Sequence, residues 1–215
     1  RAYFCQRGMA GLPNCSTTVS PVDWPPIRSP QAVHTALAAF FVQKEIVEIG
    51  TRNGDGMACF ARVAKNATAI ELDKNYCEKL RLRSRELEVA GVGTFGIACR
   101  SYRNGIPDAD VYTWWEQGPF LWNHEVLRHL RRETAQGRIR RSAQAIVVFD
   151  TKHRRDMDSW RRLKDGFAWA RNISFDERRF CLSRARHKVN CKRAAGTFIA
   201  AAIPLGEESK SPSVS

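Results

Sequence analysis

Long hydrophobic runs are missing from this chain. The most apolar stretch, Ala36 to Val42, falls far short of the ~18 residues a membrane helix needs and reads as part of a core helix. No membrane span is expected. Paired metal-binding cysteines are missing too. None of the seven Cys stands in a C-x-x-C or Cys/His zinc spacing, so no structural metal is predicted. Acidic residues are few, 22 against 35 Lys and Arg, for a net charge of +13. The excess runs through both halves and suits a polyanionic partner. Nucleic acid, acidic protein, anionic glycan and lipid headgroup are the chemical options, and a merely solvated surface is the plain alternative. An aromatic-interleaved RNA motif is also missing, so readout by base stacking is not expected. Internal repeats are absent.

What remains is enough for one domain. The chain has 215 residues, 43% of them hydrophobic, with six Trp and eleven Phe to fill a core. Arg1 in place of Met predicts a processed or trimmed start. Cys5 and Cys15 lie ten residues apart, as do Cys181 and Cys191, which flank a predicted hairpin loop. Asn14, Asn66 and Asn172 each open an Asn-x-Ser/Thr sequon. Roughly one such sequon is expected by chance. Local Cys pairs with sequons point to a lumenal or secreted setting. Free buried thiols in a cytosolic or organellar protein are the other reading, and both stay open.

Residues 1–29 hold Gly8, Gly11, Pro13 and the Pro21–Pro26 cluster and are predicted to be irregular. Ser29-Pro30 opens a helix that runs to about Val42. Strands are expected at 45–49, 67–72, 94–99, 109–114 and 142–149. Helices are expected at 54–65, 74–90, 119–136 and 156–171. Two last strands, 173–180 and 197–203, lack an intervening helix and should pair antiparallel. The tail 207–215 is polar and Ser-rich, with a disordered composition. Residues 30–206 thus predict an α/β domain. It is a doubly wound, seven-stranded, mostly parallel sheet with one antiparallel strand near the C-terminus, in three α/β/α layers.

The densest chemical signal is Val47-Glu48-Ile49-Gly50-Thr51-Arg52-Asn53-Gly54-Asp55-Gly56, between a strand and a helix. Gly50 lets the chain turn off the strand. Gly54 and Gly56 allow close backbone approach to a ligand, and the helix N-terminus offers free N–H groups. The next strand ends Ala69-Ile70-Glu71-Leu72-Asp73. Glu71 stands 21 residues after Gly50, near the ~20 expected for a carboxylate that accepts ribose hydroxyls. The glycine order G-x-x-x-G-x-G departs from the dinucleotide order G-x-G-x-x-G.

With Glu48 ahead of its glycines, this pair of segments resembles the first two motifs of the class I S-adenosylmethionine-dependent methyltransferases. The resemblance spans roughly residues 40–203. It implies S-adenosylmethionine as cofactor and in-line methyl transfer to an acceptor at the ends of strands four and five. It assigns the methionine portion to Glu48, Gly50, Thr51, Arg52, Asn53 and Gly54. It assigns the ribose to Glu71, with Leu72 and Asp73 near the adenine. Arg100 stands where many members carry an acid for the adenine amino group, and Ser101 beside it keeps a hydrogen-bonding group there.

Strand four ends Val111-Tyr112-Thr113-Trp114-Trp115-Glu116, without the Asn/Asp-Pro-Pro-Tyr of enzymes that methylate base amino groups. Trp114 and Trp115 are candidates for an aromatic wall around the sulfonium or a planar acceptor. Core packing is the structural alternative. Glu116 is a candidate base, or else a helix-cap carboxylate. Asp150 ends strand five, but Thr151 follows it where metal-dependent members place Asn, so no metal site is expected. His153, in the basic loop after Asp150, is the best-placed histidine for proton abstraction. Its alternative is an exposed imidazole with no role. For the whole chain three readings compete: an active methyltransferase on an unidentified acceptor, an inactive methyltransferase-like scaffold or interaction subunit, and a basic nucleic-acid-binding module.

Overall fold

The computed structural model describes residues 12–20, 22, 30–115, 120–178 and 193–206. Seven strands form one sheet: β1 Glu45–Ile49, β2 Asn66–Glu71, β3 Gly96–Cys99, β4 Val111–Trp115, β5 Gln144–Asp150, β6 Trp169–Arg178 and β7 Arg193–Pro204. Their order is β3-β2-β1-β4-β5-β7-β6. Strands β1 to β5 pair in parallel, and β7 runs antiparallel to both β5 and β6. The expected single antiparallel strand is therefore β7. The order reverses between β1 and β4, and open α/β sheets bind ligands at the strand C-termini beside such a reversal.

The helices are α1 Cys15–Thr18, α2 Gln31–Phe41, α3 Asp55–Phe60, α4 Lys74–Val89, α5 Phe120–Ala135 and α6 Arg154–Leu163. Strand alternation splits the core in two. Ile46, Ala69, Val111 and Ile146 face α2, α3 and α4, meeting Leu37, Phe41, Met57, Phe60 and Leu80. Val47, Ile49, Tyr112, Trp114 and Val147 face the other way, meeting Val126, Leu127 and Leu130 of α5 with Met157 and Trp160 of α6. Buried on both faces, β1 and β5 are nearly continuous apolar runs, as strands in a covered parallel sheet must be. In α4 the buried residues Cys77, Leu80, Ser84 and Leu87 recur at helical spacing, which gives one stripe to the core and leaves its charges in water.

Three expectations are corrected. Part of the N-terminal segment is helical: α1 is capped by the Asn14 side chain, and Cys15 is fully buried. Cys15 does not pair locally. It is bonded to Cys59 of α3, 44 residues on, and a second disulfide joins Cys77 of α4 to Cys99 at the end of β3, 22 residues on. Cys5, Cys181 and Cys191 lie outside the described residues. In a chain-entropy account the two loops are worth about 4 and about 3 kcal/mol. Lastly, the helix expected at 156–171 ends at Leu163 and gives way to a 3-10 turn, Lys164–Gly166. Trp169 belongs to β6, where it joins Ile173 and Phe175 against the core.

The opposite edge, at the strand N-termini, is tied by one guanidinium. Arg140 reaches Glu45 at 2.6 Å, Asp110 at 2.6 Å and Asp108 at 3.0 Å. Asp110 also accepts the Glu45 N–H at 2.9 Å. Hydrogen bonding from Arg140 holds the Glu45 and Asp108 carboxyls below the usual carboxylate range. β1, β4 and the approach to β5 are thereby registered at the end away from the glycine loop.

Candidate functional site

The glycine loop leaves β1 through two left-handed glycines, Gly50 at φ +75° and Gly54 at φ +78°. Gly50 donates its N–H to the Ile70 carbonyl of β2 at 2.8 Å. A Cβ at Gly50 would meet nothing within 4 Å, so only its φ requires glycine there. Gly54 is bound by packing as well, since a Cβ would stand 2.6 Å from Leu80 Cδ2. Between them the Thr51 hydroxyl donates to the Glu48 carbonyl at 3.1 Å, and Arg52 adopts φ +55°. The Glu48 side chain is 4% exposed and lies under the loop, its Oε1 2.6 Å from the position of a Cβ on Gly56.

Glu71 is the junction of the site. Its Oε2 accepts the Arg52 N–H at 2.7 Å, and its Oε1 accepts the N–H groups of Leu72 at 2.7 Å and Asp73 at 3.0 Å. One carboxylate thus clasps the loop after β1 to the end of β2. Leu72 is 71% exposed at the rim. Asp73 is used as the cap of α4, accepting the Asn75 N–H at 2.8 Å. Cys77 Sγ lies 3.6 Å from the Glu71 carbonyl oxygen. In a disulfide it has no proton to donate, so this is a packing contact. Through Cys99 the same disulfide draws the end of β3 toward Glu71. There Ser101 Oγ caps a 3-10 turn by accepting the Arg103 N–H at 3.3 Å, and Arg100 is exposed.

Two residues behind the loop were not anticipated. Asp55 is 1% exposed and accepts the Val22 N–H at 3.0 Å and Arg83 Nη1 at 2.6 Å. Arg83 also donates to the Asn53 carbonyl at 3.1 Å and the Ser20 carbonyl at 2.9 Å. One arginine of α4 therefore fixes the loop, the start of α3 and the N-terminal segment together. No local pattern announces a bond across 28 residues.

At the ends of β4 and β5 the candidates separate. Trp114 is 2% exposed in the α5/α6-side core, and among the described residues its Nε1 has no hydrogen-bond partner. Trp115, on the opposite face, is half-buried and meets the rings of Phe198 and His34 edge-on at 5.1 and 5.6 Å. Glu116 lies outside the described residues. Asp150 ends β5, with Oδ1 accepting the Lys152 N–H at 2.9 Å.

His153 projects from the same turn, its side chain 56% exposed, with Nδ1 2.5 Å from Asp156 Oδ1. Asp156 is 3% exposed, and its other oxygen accepts the Asp150 N–H at 2.9 Å. Burial raises its carboxyl above the usual range. A carboxylate partner fixes the proton on Nδ1 and leaves Nε2 as the acceptor facing outward. The sequence singled out His153 but not Asp156, although their three-residue spacing across a helix start was the available signal.

His34 is a further buried group at this end of the sheet. It is 0% exposed, accompanied by Gln31, whose Oε1 is 3.1 Å from His34 Nδ1. Burial first, then the Arg83 charge, lowers its pKa to about 4, against the pull of Asp55. The imidazole is neutral.

No protein-family model matches the chain, and no curated protein matches it. Solved structures share its fold. The C-terminal domain of precorrin-6Y C5,15-methyltransferase from Rhodobacter capsulatus aligns at TM-score 0.58 and 9% identity, over 83% of this chain and 91% of that one. An RNA methyltransferase from Salinibacter ruber, in complex with S-adenosyl-L-homocysteine, aligns at 0.53 and 14%, over 85% and 95%. Magnesium protoporphyrin IX methyltransferase from Synechocystis, with bound S-adenosylmethionine, aligns at 0.51 and 12%, over 79% and 77%. The fold is that of the class I S-adenosylmethionine-dependent methyltransferases.

Proposed function

We propose that this protein binds S-adenosylmethionine in the glycine-loop site and transfers its methyl group to an anionic acceptor at the ends of β4 and β5. The observation that carries the reading is the Glu71 clasp. A glycine turn needs only its own φ angles, and a strand end needs only a cap. Here a nearly buried carboxylate takes three amides, one from the neighbouring loop, at the position where a ribose would be held. Oε1 takes two of these amides and Oε2 only one, so Oε2 keeps acceptor capacity for a hydroxyl.

The residues present fit the cofactor. The loop face at Gly50 is open, Glu71 stands at the strand end, and the exposed Leu72 offers an apolar surface for a planar base. Glu48 and residues 50–54 would hold the methionine portion. Glu71 would hold the ribose hydroxyls, with Leu72, Asp73, Arg100 and Ser101 around the adenine. Trp114 underlies the strand-four end as packing, and Trp115 is the more accessible aromatic. When bound, the cofactor supplies an electrophilic methyl on a sulfonium.

His153 Nε2 takes the proton that the acceptor nucleophile must lose, while Asp156 stabilises the imidazolium so formed. Asp150 acts on the turn rather than on the acceptor, since its oxygen is engaged by the Lys152 N–H. The acceptor class follows from charge. Arg52, Arg100, Arg103, Lys152, Arg154 and Arg155 all sit in segments that follow the C-terminal ends of strands. Cations in these segments raise the local concentration of an anion, nucleic acid included. The test is ultraviolet crosslinking of methyl-labelled S-adenosylmethionine, followed by peptide mapping. Label in peptides spanning 48–54 or 71–76 is expected. Label elsewhere, or none that unlabelled cofactor displaces, refutes the proposed site.

A further inference from the structure

The two disulfides say something about where the chain matures. One joins α1 to α3 across 44 residues, the other joins α4 to the strand that follows it, β3, across 22, and Cys15, Cys59 and Cys77 are fully buried. Bonds of this kind form and persist in oxidising compartments. Glutathione and thioredoxin keep such thiols reduced in the cytosol. The sequons gain weight in that setting. Asn14, Asn66 and Asn172 are all exposed, although nothing in the sequon pattern requires it.

The three sites differ in what they are already doing. Asn14 uses its side-chain oxygen to cap α1, accepting the Ser16 N–H at 3.1 Å. Asn66 donates its amide to Glu45 at 3.3 Å, at the strand edge tied by Arg140. Among the described residues, Asn172 has no side-chain hydrogen bond. It lies on β6, the edge strand of the sheet. Trp169, Ile173 and Phe175 pack on the core from one face of that strand, while Ala170, Asn172, Ser174 and Asp176 are exposed on the other. A large substituent on Asn172 displaces no packed group. It also protects a ten-residue edge strand from pairing with another chain, a hazard that folded proteins manage with charge, bulk or cover.

We infer that this protein matures in an oxidising secretory compartment and carries an N-linked glycan on Asn172. The transfer joins Asn172 Nδ2 to the anomeric carbon of an oligosaccharide carried on a polyisoprenyl pyrophosphate. The pyrophosphate leaves with its lipid, and the amide gives up one proton. Ser174, two residues on, supplies the hydroxyl of the sequon. Its Oγ lies 3.5 Å from Thr197 Oγ1.

The test uses protein purified from its own source without reductant. Peptide mapping should recover Cys15 linked to Cys59 and Cys77 linked to Cys99. Enzymatic deglycosylation in oxygen-18 water should convert Asn172 to labelled aspartate. Unmodified Asn172 in chains with both disulfides intact overturns the glycan. Free, alkylatable thiols at all four cysteines overturn the compartment and the glycan with it. In a eukaryotic secretory host, Asn172→Gln and Ser174→Ala should each lose one glycan mass, and Ser174→Thr should keep it. A Ser174→Ala chain with undiminished glycan mass at Asn172 contradicts the assignment. These outcomes are independent of cofactor binding, so the methyltransferase reading can fail without them.

Discussion

Acidification should weaken this fold through one histidine before most of its carboxylates are protonated. His34 is fully buried between Phe60 and Trp115, and its pKa is lowered from 6.5 to about 4. The facing charges are Asp55, which opposes the shift, and Arg83, which adds to it. Above the unfolded value the imidazole is neutral in both states, and its contribution to stability is complete. Between 6.5 and about 4 the unfolded chain takes up a proton that the folded chain refuses, so stability falls with pH. The loss is complete below about 4. At 1.36 kcal/mol per unit the shift is worth about 3 kcal/mol, a large share of the ~5–15 kcal/mol that holds a typical domain together. Urea unfolding of the disulfide-intact protein and of His34→Phe, at pH values from about 7.5 down to about 4, measures it. Carboxylates titrate in both proteins and cancel in the difference. The gap between the two should move by about 3 kcal/mol in favour of the variant as pH falls. A gap that stays constant would show that His34 is hydrated or charged in the folded state.

Other expectations are more local. Gly54→Ala combines a left-handed backbone with a 2.6 Å approach to Leu80 and should cost about 2 kcal/mol in thermal unfolding. Cys99→Ser opens the α4–β3 loop and should cost about 3 kcal/mol, with increased hydrogen exchange at Leu72 and Asp73. Asp156→Asn should turn the His153 ring from one tautomer to a mixture, read from nitrogen-15 shifts of its ring. An unchanged ring would mean that Asp156 does not orient it. Replacing Arg154 and Arg155 together with Gln should flatten the log–log salt dependence of polyanion binding by about 0.9 for each phosphate no longer neutralised.

Much of the frame was legible because it is local or periodic. The bounds of β1 match their expectation, since an apolar run between charged residues and a Gly turn has one reading. The glycine order and the Glu71 spacing place the two segments side by side from sequence alone. What stayed hidden depends on pairings across the sequence. Cys15 had a nearer candidate in Cys5, and nothing local favours Cys59. Arg83 is one of many arginines until the fold brings it under Asp55. Trp169 extends the helical run of Leu163 and Phe167 only off its stripe, two residues past Phe167, and keeps the even spacing of a strand face with Ile173 and Phe175. Gly166, which helps end the helix, was the signal against the first. Of the two tryptophans ending β4, alternation alone says that they face opposite ways. Which one is buried depends on the helices that cover each face.

Calorimetric titration with S-adenosylhomocysteine tests the cofactor site most directly, using the native chain and Glu71→Gln. The native chain should bind one equivalent. The variant keeps the size of the side chain but replaces one acceptor oxygen with a donor, so it should lose about 1.5–3 kcal/mol, or roughly 10- to 100-fold in affinity. No binding by the native chain, or equal affinity in both proteins, would contradict the assignment of Glu71 and with it the proposed methyl transfer.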